Sequence, residues 1–370
     1  GIRKMKSFLK KATRVKVRMK EEVKVRGKVS LLAAGMALCL FTACSSTKVQ
    51  QYQRVDTVMG TILRETVYVG TESSYDEGSE DITEEIRDII VSLEEDVLSW
   101  RKESSQVCEV NEGAGHAEGV MLRKELSGLL QKVLQVSKDS QGALDVTIGQ
   151  TVRLWNIDEY AAGSEEGAFE LPARETLEDT LQKSGYEKMI LQDDRIYLPG
   201  GMELDLGAVG KGIACDEILS FLQNQSQVQG AVISIGGSIL TYGQKLDGKS
   251  WNVGIIDPFE PSSYLGSLTL NGQWCVSTSG DYERYVEVDG VRYHHIIAPS
   301  TGYPATAGLR SVTILSKDGC LSDALSTACF VLGKEKTLKL LEKYEACAVM
   351  VEEDGSIILS PGAEQYFREE

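Results

Sequence analysis

Histidine is scarce in this chain: three residues in 370, at positions 116, 294 and 295. The cysteines beyond Cys44 (Cys108, Cys215, Cys275, Cys320, Cys329 and Cys347) include no C-x-x-C pair and have no histidine at ligand spacing. A structural zinc site is therefore not expected. Several of these cysteines sit in apolar runs and read as small core residues, so no disulfide framework is expected either. One apolar stretch stands out, the fifteen residues Val29–Ala43. A bilayer-spanning helix needs roughly 20, and a polytopic membrane protein is excluded. No fixed-period repeat is visible, which removes solenoids and propellers. Outside residues 1–43 positive charge is also short. That segment holds 12 Lys/Arg against 2 Asp/Glu, leaving 27 basic against 53 acidic residues for the rest, a charge of −26. So acidic a body does not attract nucleic acid over its general surface. Any anionic ligand has to be held by local donors or by a metal ion.

The composition is otherwise that of a globular protein, 42% hydrophobic and 25% charged. The basic run Arg3–Lys28, the short apolar run and the small residues that end it read as a secretory signal over 1–43. Phe41-Thr42-Ala43-Cys44 is similar to a bacterial lipobox, which implies acylation at Cys44 and an extracytoplasmic, lipid-anchored body; an uncleaved N-terminal anchor would give the same location. Residues 44–54 read as a polar tether, 55–360 as the folded body and 361–370 as a tail.

Within the body, apolar residues recur at helical spacing from Ile82 to Val97 and from Leu122 to Val133. Lys102–Gly119 reads as a linker and Glu159–Glu170 as a surface loop. From Met189 onward short strands alternate with turns: Arg195–Leu198, Ala231–Ile235 and Ser311–Leu315 are strands, and Asn271-Gly272, Asp289-Gly290 and Asp354-Gly355 are hairpin signals. Helices are expected near Gly207, over Ser322–Leu332 and over Lys336–Tyr344. Clustered strands with interspersed helices give an α+β protein.

Four segments carry chemistry. Asp205-Leu206-Gly207-Ala208-Val209-Gly210-Lys211-Gly212 opens a helix, where free backbone N–H groups and a lysine suit phosphate. Its spacing fits neither a Walker loop nor G-x-G-x-x-G, and a glycine-rich helix entrance without a ligand reads equally well. His294 and His295 adjoin on a strand, where neighbours face opposite sides, so at most one enters a given pocket. Asp323 and Thr327, four apart on a helix, share a face and offer hard oxygens to a cation such as Mg²⁺. By itself Asp323 reads more readily as an acid favoured by the helix dipole than as a metal ligand. Asp56–Ile62 holds a Met59-Gly60 turn.

In order, the segments DTVMGT, GALDVTIG, ELDLGAVGKGIACD, ISIGGS, WNVGIIDP, VSTSGDYERY, YHHIIAPSTGYP and LSDALSTACFVLG strongly resemble the ApbE family of FAD:protein FMN transferases. The resemblance covers Val55 to Val351. It implies an ApbE-like, T-fold-related α+β arrangement of antiparallel sheets and packed helices, with a nucleotide cleft between two lobes. It implies FAD as substrate and Mg²⁺ as cofactor, with FMN passed to a Thr or Ser of an acceptor flavoprotein, a membrane redox subunit or an extracellular electron-transfer protein, and AMP released. Carried over by motif, Met59, Trp100, Ala143, Leu144, Asp145, Asp205, Lys211, Gly236, Gly237, His295 and Ile296 line the flavin nucleotide site. Ala208 (through its carbonyl), Asp323 and Thr327 hold the metal. His294 or His295 is the general base, with Asp323 a weaker choice because the metal occupies it. FAD hydrolysis to FMN and AMP, or a non-catalytic FAD-binding lipoprotein, are the alternatives. An electron carrier with its own flavinylation motif is disfavoured, since no such motif is found.

Overall fold

The computed structural model describes residues 48–71, 82–163 and 168–369; the expected signal and Cys44 lie outside them. Thr47–Glu370 is one compact unit, so the cleft opens within a single body. A long hairpin, β1 (Lys48–Val58) and β2 (Thr61–Thr71), leads to helix α1 (Ile82–Leu93), which widens into a π turn at Glu94–Leu98. Next come α2 (Gln106–Glu112), β3 (Val120–Met121), α3 (Lys124–Asp139), α4 (Gly149–Trp155), α5 (Ile157–Ala162), α6 (Arg174–Gln182) and the short strands β4 (Ile190–Gln192) and β5 (Arg195–Tyr197). Helix α7 (Gly210–Gln223) precedes β6 (Val228–Ile235), β7 (Ser238–Gly243), β8 (Trp251–Ile256), β9 (Tyr264–Leu270), β10 (Trp274–Gly280), β11 (Tyr285–Val288), β12 (Val291–His294) and β13 (Leu309–Ser316). The chain closes with α8 (Gly319–Leu332), α9 (Lys334–Leu341), β14 (Ala346–Glu352), β15 (Ile357–Leu359) and β16 (Phe367–Glu369).

Eight strands form the main sheet in the order β1-β2-β6-β7-β10-β13-β14-β15, each pair antiparallel. Its inner strands are apolar on both faces because both are covered. Ala231, Ile233 and Ile235 of β6 meet α1 and α7, while the intervening Val232 packs against β8 and β9 on the other side. Helices α7 and α8 cross at two glycines: a Cβ on Gly212 would sit 2.0 Å from the Gly319 carbonyl oxygen, and one on Gly319 2.2 Å from that of Gly212. No other residue type permits that approach.

Several expectations change. Residues 48–54, read as tether, belong to β1, where Tyr52 packs on the α1–α7 core; an edge strand buries one face only, and its polar residues look like linker. The presumed tail carries Ala363 and Phe367 into the core, and β16 pairs with β9. The segment 102–119 contains α2, capped where Ser105 Oγ accepts the Cys108 N–H at 3.1 Å, and the 159–170 loop begins with α5. Asn271-Gly272 is not a hairpin: β9 pairs with β8 and β16 whereas β10 pairs with β7 and β13, so the turn carries the chain from one sheet to the other. Asp289-Gly290 does close β11 on β12, with φ of 51° and 78° as a primed turn requires. The six cysteines are free thiols, all but Cys108 buried.

Candidate active site

A cleft of about 1390 Å³, counting its open mouth, is lined by residues from most of the segments singled out above. Met59, Trp100, Ala143, Leu144, Asp145, Asp205, Ala208, Lys211, His295, Ile296, Asp323 and Thr327 all border it. Met59 reaches it because the β1–β2 turn is primed, with φ of 48° at Met59 and 65° at Gly60; its N–H donates to Glu94 Oε2 at 3.1 Å.

One wall is the entrance of α7 together with α8. Asp205 accepts from the Gly207 N–H at 2.7 Å and from Trp100 Nε1–H at 3.0 Å. Burial nevertheless raises its carboxyl above the usual carboxylate range. Asp323, in the second turn of α8, accepts from the Gly212 N–H through Oδ2 and from Ser238 Oγ through Oδ1, each at 2.6 Å. It thus ties α8 to α7 and β7, while the N-cap is Asp318, which accepts from the Leu321 N–H. Thr327, one turn on, faces the same cleft beside Ser279, their hydroxyls 3.4 Å apart.

A second wall, joined to the first where Trp100 bonds Asp205, is built from charge pairs. Arg101 and Arg153 lie 4.1 and 4.3 Å from the Trp100 ring centroid, and Arg101 pairs with Glu159 at 3.2 Å. Asp158, on α5, pairs with Arg284 at 3.1 Å. Asp145 is engaged by the protein itself: Oδ1 accepts from Thr147 N–H and Oγ1, and Oδ2 from the Tyr186 N–H. Burial dominates its carboxyl and pushes it upward, and its part in the cleft is to hold the loop that presents Ala143 and Leu144.

Two expectations fail here. His294 does not border the cleft; it is buried against Phe330. Its Nδ1 accepts the Ile296 N–H at 3.2 Å, so Nε2 carries the proton and donates to the Ala305 carbonyl at 2.9 Å. Neither nitrogen is left for catalysis. His295, on the other side of the strand end, reaches the cleft. Gly236 and Gly237 do not line it; they form the β6–β7 turn. A Cβ on Gly237 would come within 2.9 Å of Glu283 Oε1, so this glycine makes room for a cleft residue. Glu283, whose carboxyl burial pushes up while Lys211 draws it down, was not singled out from the sequence; nor were Asp158, Arg284 and Ser279. Ser279, Glu283 and Arg284 do lie in the VSTSGDYERY segment, the only signal available for them.

Among the described residues no group of three or more His, Cys, Asp or Glu could hold a metal. A cation here would rest on one carboxylate, the Thr327 hydroxyl and a backbone carbonyl, with substrate phosphate and water completing the shell. That hard-oxygen set fits Mg²⁺, and each Asp323 oxygen, holding one hydrogen bond, has a lone pair left.

A model of the ApbE family matches residues 59–351. The chain belongs to the ApbE family. It is 33% identical to the FAD:protein FMN transferase of Treponema pallidum, over 84% of this chain and 88% of that protein. It is 36% identical to one from Klebsiella pneumoniae, over 73% and 82%. Among solved structures it superposes on the ApbE protein of Thermotoga maritima with a TM-score of 0.73 at 32% identity, covering 86% of this chain and all of the other. The apo flavinyl transferase ApbE of Pseudomonas stutzeri gives 0.71 at 27%, covering 86% and 96%. The match spans in full every segment of this ApbE chain that carried the resemblance except the first, DTVMGT, which it enters at Met59.

Proposed function

We propose that this chain transfers the FMN half of FAD to a hydroxyl of an acceptor flavoprotein and releases AMP. The observation that carries this reading is that one cleft gathers Asp205, Lys211 and the α7 entrance, the oxygen set of Ala208, Asp323 and Thr327, and His295 with a free ring nitrogen. His295 Nδ1 and its backbone N–H both point at the Arg284 carbonyl, at 3.2 and 3.1 Å. A carbonyl only accepts, so Nδ1 carries the proton and Nε2 has the lone pair.

The chemistry follows from these residues. Lys211 and the amides at the α7 entrance bind the pyrophosphate of FAD. Ala208 (through its carbonyl), Asp323 and Thr327 would hold Mg²⁺, which would supply neutralisation of phosphate charge. His295 Nε2 takes the proton from an acceptor Thr or Ser hydroxyl, whose oxygen bonds to the FMN phosphorus. The bond from that phosphorus to the bridging oxygen breaks, and the electron pair leaves on AMP. Asp323 is the poorer base, since both its oxygens already accept hydrogen bonds. In this reading the acceptor is a membrane redox subunit or an extracellular electron-transfer flavoprotein, met outside the cytoplasm by a protein anchored through Cys44.

The test mixes the protein, FAD, Mg²⁺ and a Thr-bearing acceptor domain. Transfer predicts an acceptor mass increase of one FMN together with AMP release. AMP without acceptor modification would make hydrolysis the activity. Asp323→Ala should reduce AMP release by more than about a hundredfold, in line with the loss of metal-assisted charge neutralisation; undiminished turnover removes the metal assignment.

A further inference from the structure

The wall of charge pairs contains a carboxylate for which the reaction above has no role. Asp158 is the second residue of α5 and borders the main cleft. It also borders a second, smaller cavity, which shares Arg101, Val152, His295 and Ile297 with the first. Its Oδ1 is sealed from solvent and accepts no aligned hydrogen bond, although Arg284 Nη1 lies 3.1 Å away. The same Arg284 supplies the backbone carbonyl that takes both the N–H and Nδ1–H of His295. Asp158, Arg284 and His295 thus form a connected set: carboxylate to guanidinium, and carbonyl of that residue to imidazole.

The surroundings of His295 make it a poor place for an imidazolium. Burial disfavours the charged ring, and the cations Arg284, from the segment after β10, and Lys211, from α7, disfavour it further. Asp158 acts the other way, as does the Arg284 carbonyl that accepts from Nδ1–H, and Arg101 faces Asp158 in turn. When Nε2 accepts a proton, the new positive charge therefore appears beside two cations and one carboxylate. Without that carboxylate the ring would stay neutral and accept the proton reluctantly.

We propose that Asp158 is a positioning residue for the base, fixing Arg284 and hence the carbonyl that sets the His295 tautomer, and stabilising the imidazolium formed during transfer. The proposal rests on the reading of His295 as general base. In the step, the acceptor O–H breaks and Nε2–H forms; the acceptor oxygen bonds to the FMN phosphorus as AMP leaves with the electron pair of the cleaved P–O bond. The proton on Nε2 then passes to solvent. Nothing is oxidised or reduced.

The ring can be followed directly, because the sequence has three histidines and a His295→Asn spectrum assigns the one that matters. Imidazole C2–H titrations of the full chain without flavin are compared for wild type, Asp158→Asn, Asp158→Glu and Arg284→Gln. Asp158→Asn should lower the His295 midpoint by about one unit, as loss of a nearby opposite charge does. Asp158→Glu should restore it, and Arg284→Gln, which removes a cation, should raise it. In transfer to a Thr-bearing acceptor domain, Asp158→Asn should lower kcat about tenfold. It should also move the acidic limb of the pH profile downward and leave KM for FAD within about twofold. A lowered kcat with an unmoved titration and an unmoved limb overturns the proposal, since lost packing alone would do that. If Asp158→Asn does not fold, Arg284→Gln decides: an unshifted midpoint there overturns it too. Should His295→Asn transfer FMN at the wild-type rate, the base reading fails, whatever the titrations show about Asp158.

Discussion

The two walls of the cleft are made by different physics. The α7–α8 wall is set by backbone: two glycines in reciprocal contact, and a carboxylate on α8 that accepts the Gly212 N–H of α7. The wall of Trp100, Arg101, α4 and α5 is set by long charged side chains, partly in solvent, paired at about 3 Å. A backbone contact has no soft degree of freedom, whereas an ion pair can lengthen or admit water. The first wall should therefore fail abruptly and the second gradually, which suits a rigid phosphate and metal site joined to a side that admits a bulky substrate.

The sharpest way to break this contrast is Gly212→Ala. Its Cβ would meet a backbone oxygen at 2.0 Å, so α7 and α8 must separate. A loss of about 3 kcal/mol or more is expected, at or beyond the upper end of overpacking costs, read as a fall in the urea midpoint. Gly319→Ala should cost about as much. The double variant should cost well under the sum, because one separation relieves both clashes. Full additivity would mean the glycines act independently and the shared contact is not what they serve.

That wall was also the legible one. A glycine forced by close approach leaves a mark in sequence, as does a pair such as Asp323 and Thr327 whose spacing puts them on one helical face. The antiparallel α+β character showed in the clustered strands for the same reason: period-two patterns and Asp-Gly turns are local. What was hidden depends on register or on distant partners. Adjacent histidines must face opposite ways, but only the end of β12 determines that His294 turns inward to Ala305 and His295 outward to the cleft. Asp158 and Glu283 carried no local signal, because the cations that face them, Arg284 for Asp158 and Lys211 for Glu283, lie far off along the chain. Lys48–Arg54 read as linker since an edge strand of the main sheet needs little apolar content.

A smaller effect should come from Asp216, which fastens the start of α8 by accepting the Gly319 and Cys320 N–H groups at 2.7 and 2.8 Å. Burial, with Asp318 adding to it, lifts its carboxyl to about 6. Lys132, which bonds to Asp318, pulls the other way. Because the folded value is above the unfolded one, the contribution to stability is fully present below about pH 4 and is lost as pH rises through about 6. Thermal midpoints taken from pH 4.5 to 7.5 should therefore decline more steeply for wild type than for Asp216→Asn. Parallel curves would show that the two amides, which favour the charged form, outweigh burial.

The smallest effect belongs to the other wall. Arg101 touches Trp100, borders the cleft and pairs with Glu159, but its side chain keeps 40% of its surface in solvent. Replacing it with Gln removes an exposed ion pair and a cation–π contact, together about 1 kcal/mol or less. Exposed pairs are screened over about 8–10 Å at ordinary ionic strength, so even that difference from wild type should shrink when the melt is repeated in high salt. If Arg101 meets FAD as its place on the cleft suggests, KM for FAD rises a few-fold while kcat holds, the mark of binding lost equally from ground and transition states. A fall in kcat without a rise in KM would put Arg101 at the reacting phosphorus instead, and the division of labour between a chemical wall and an accommodating one would no longer stand.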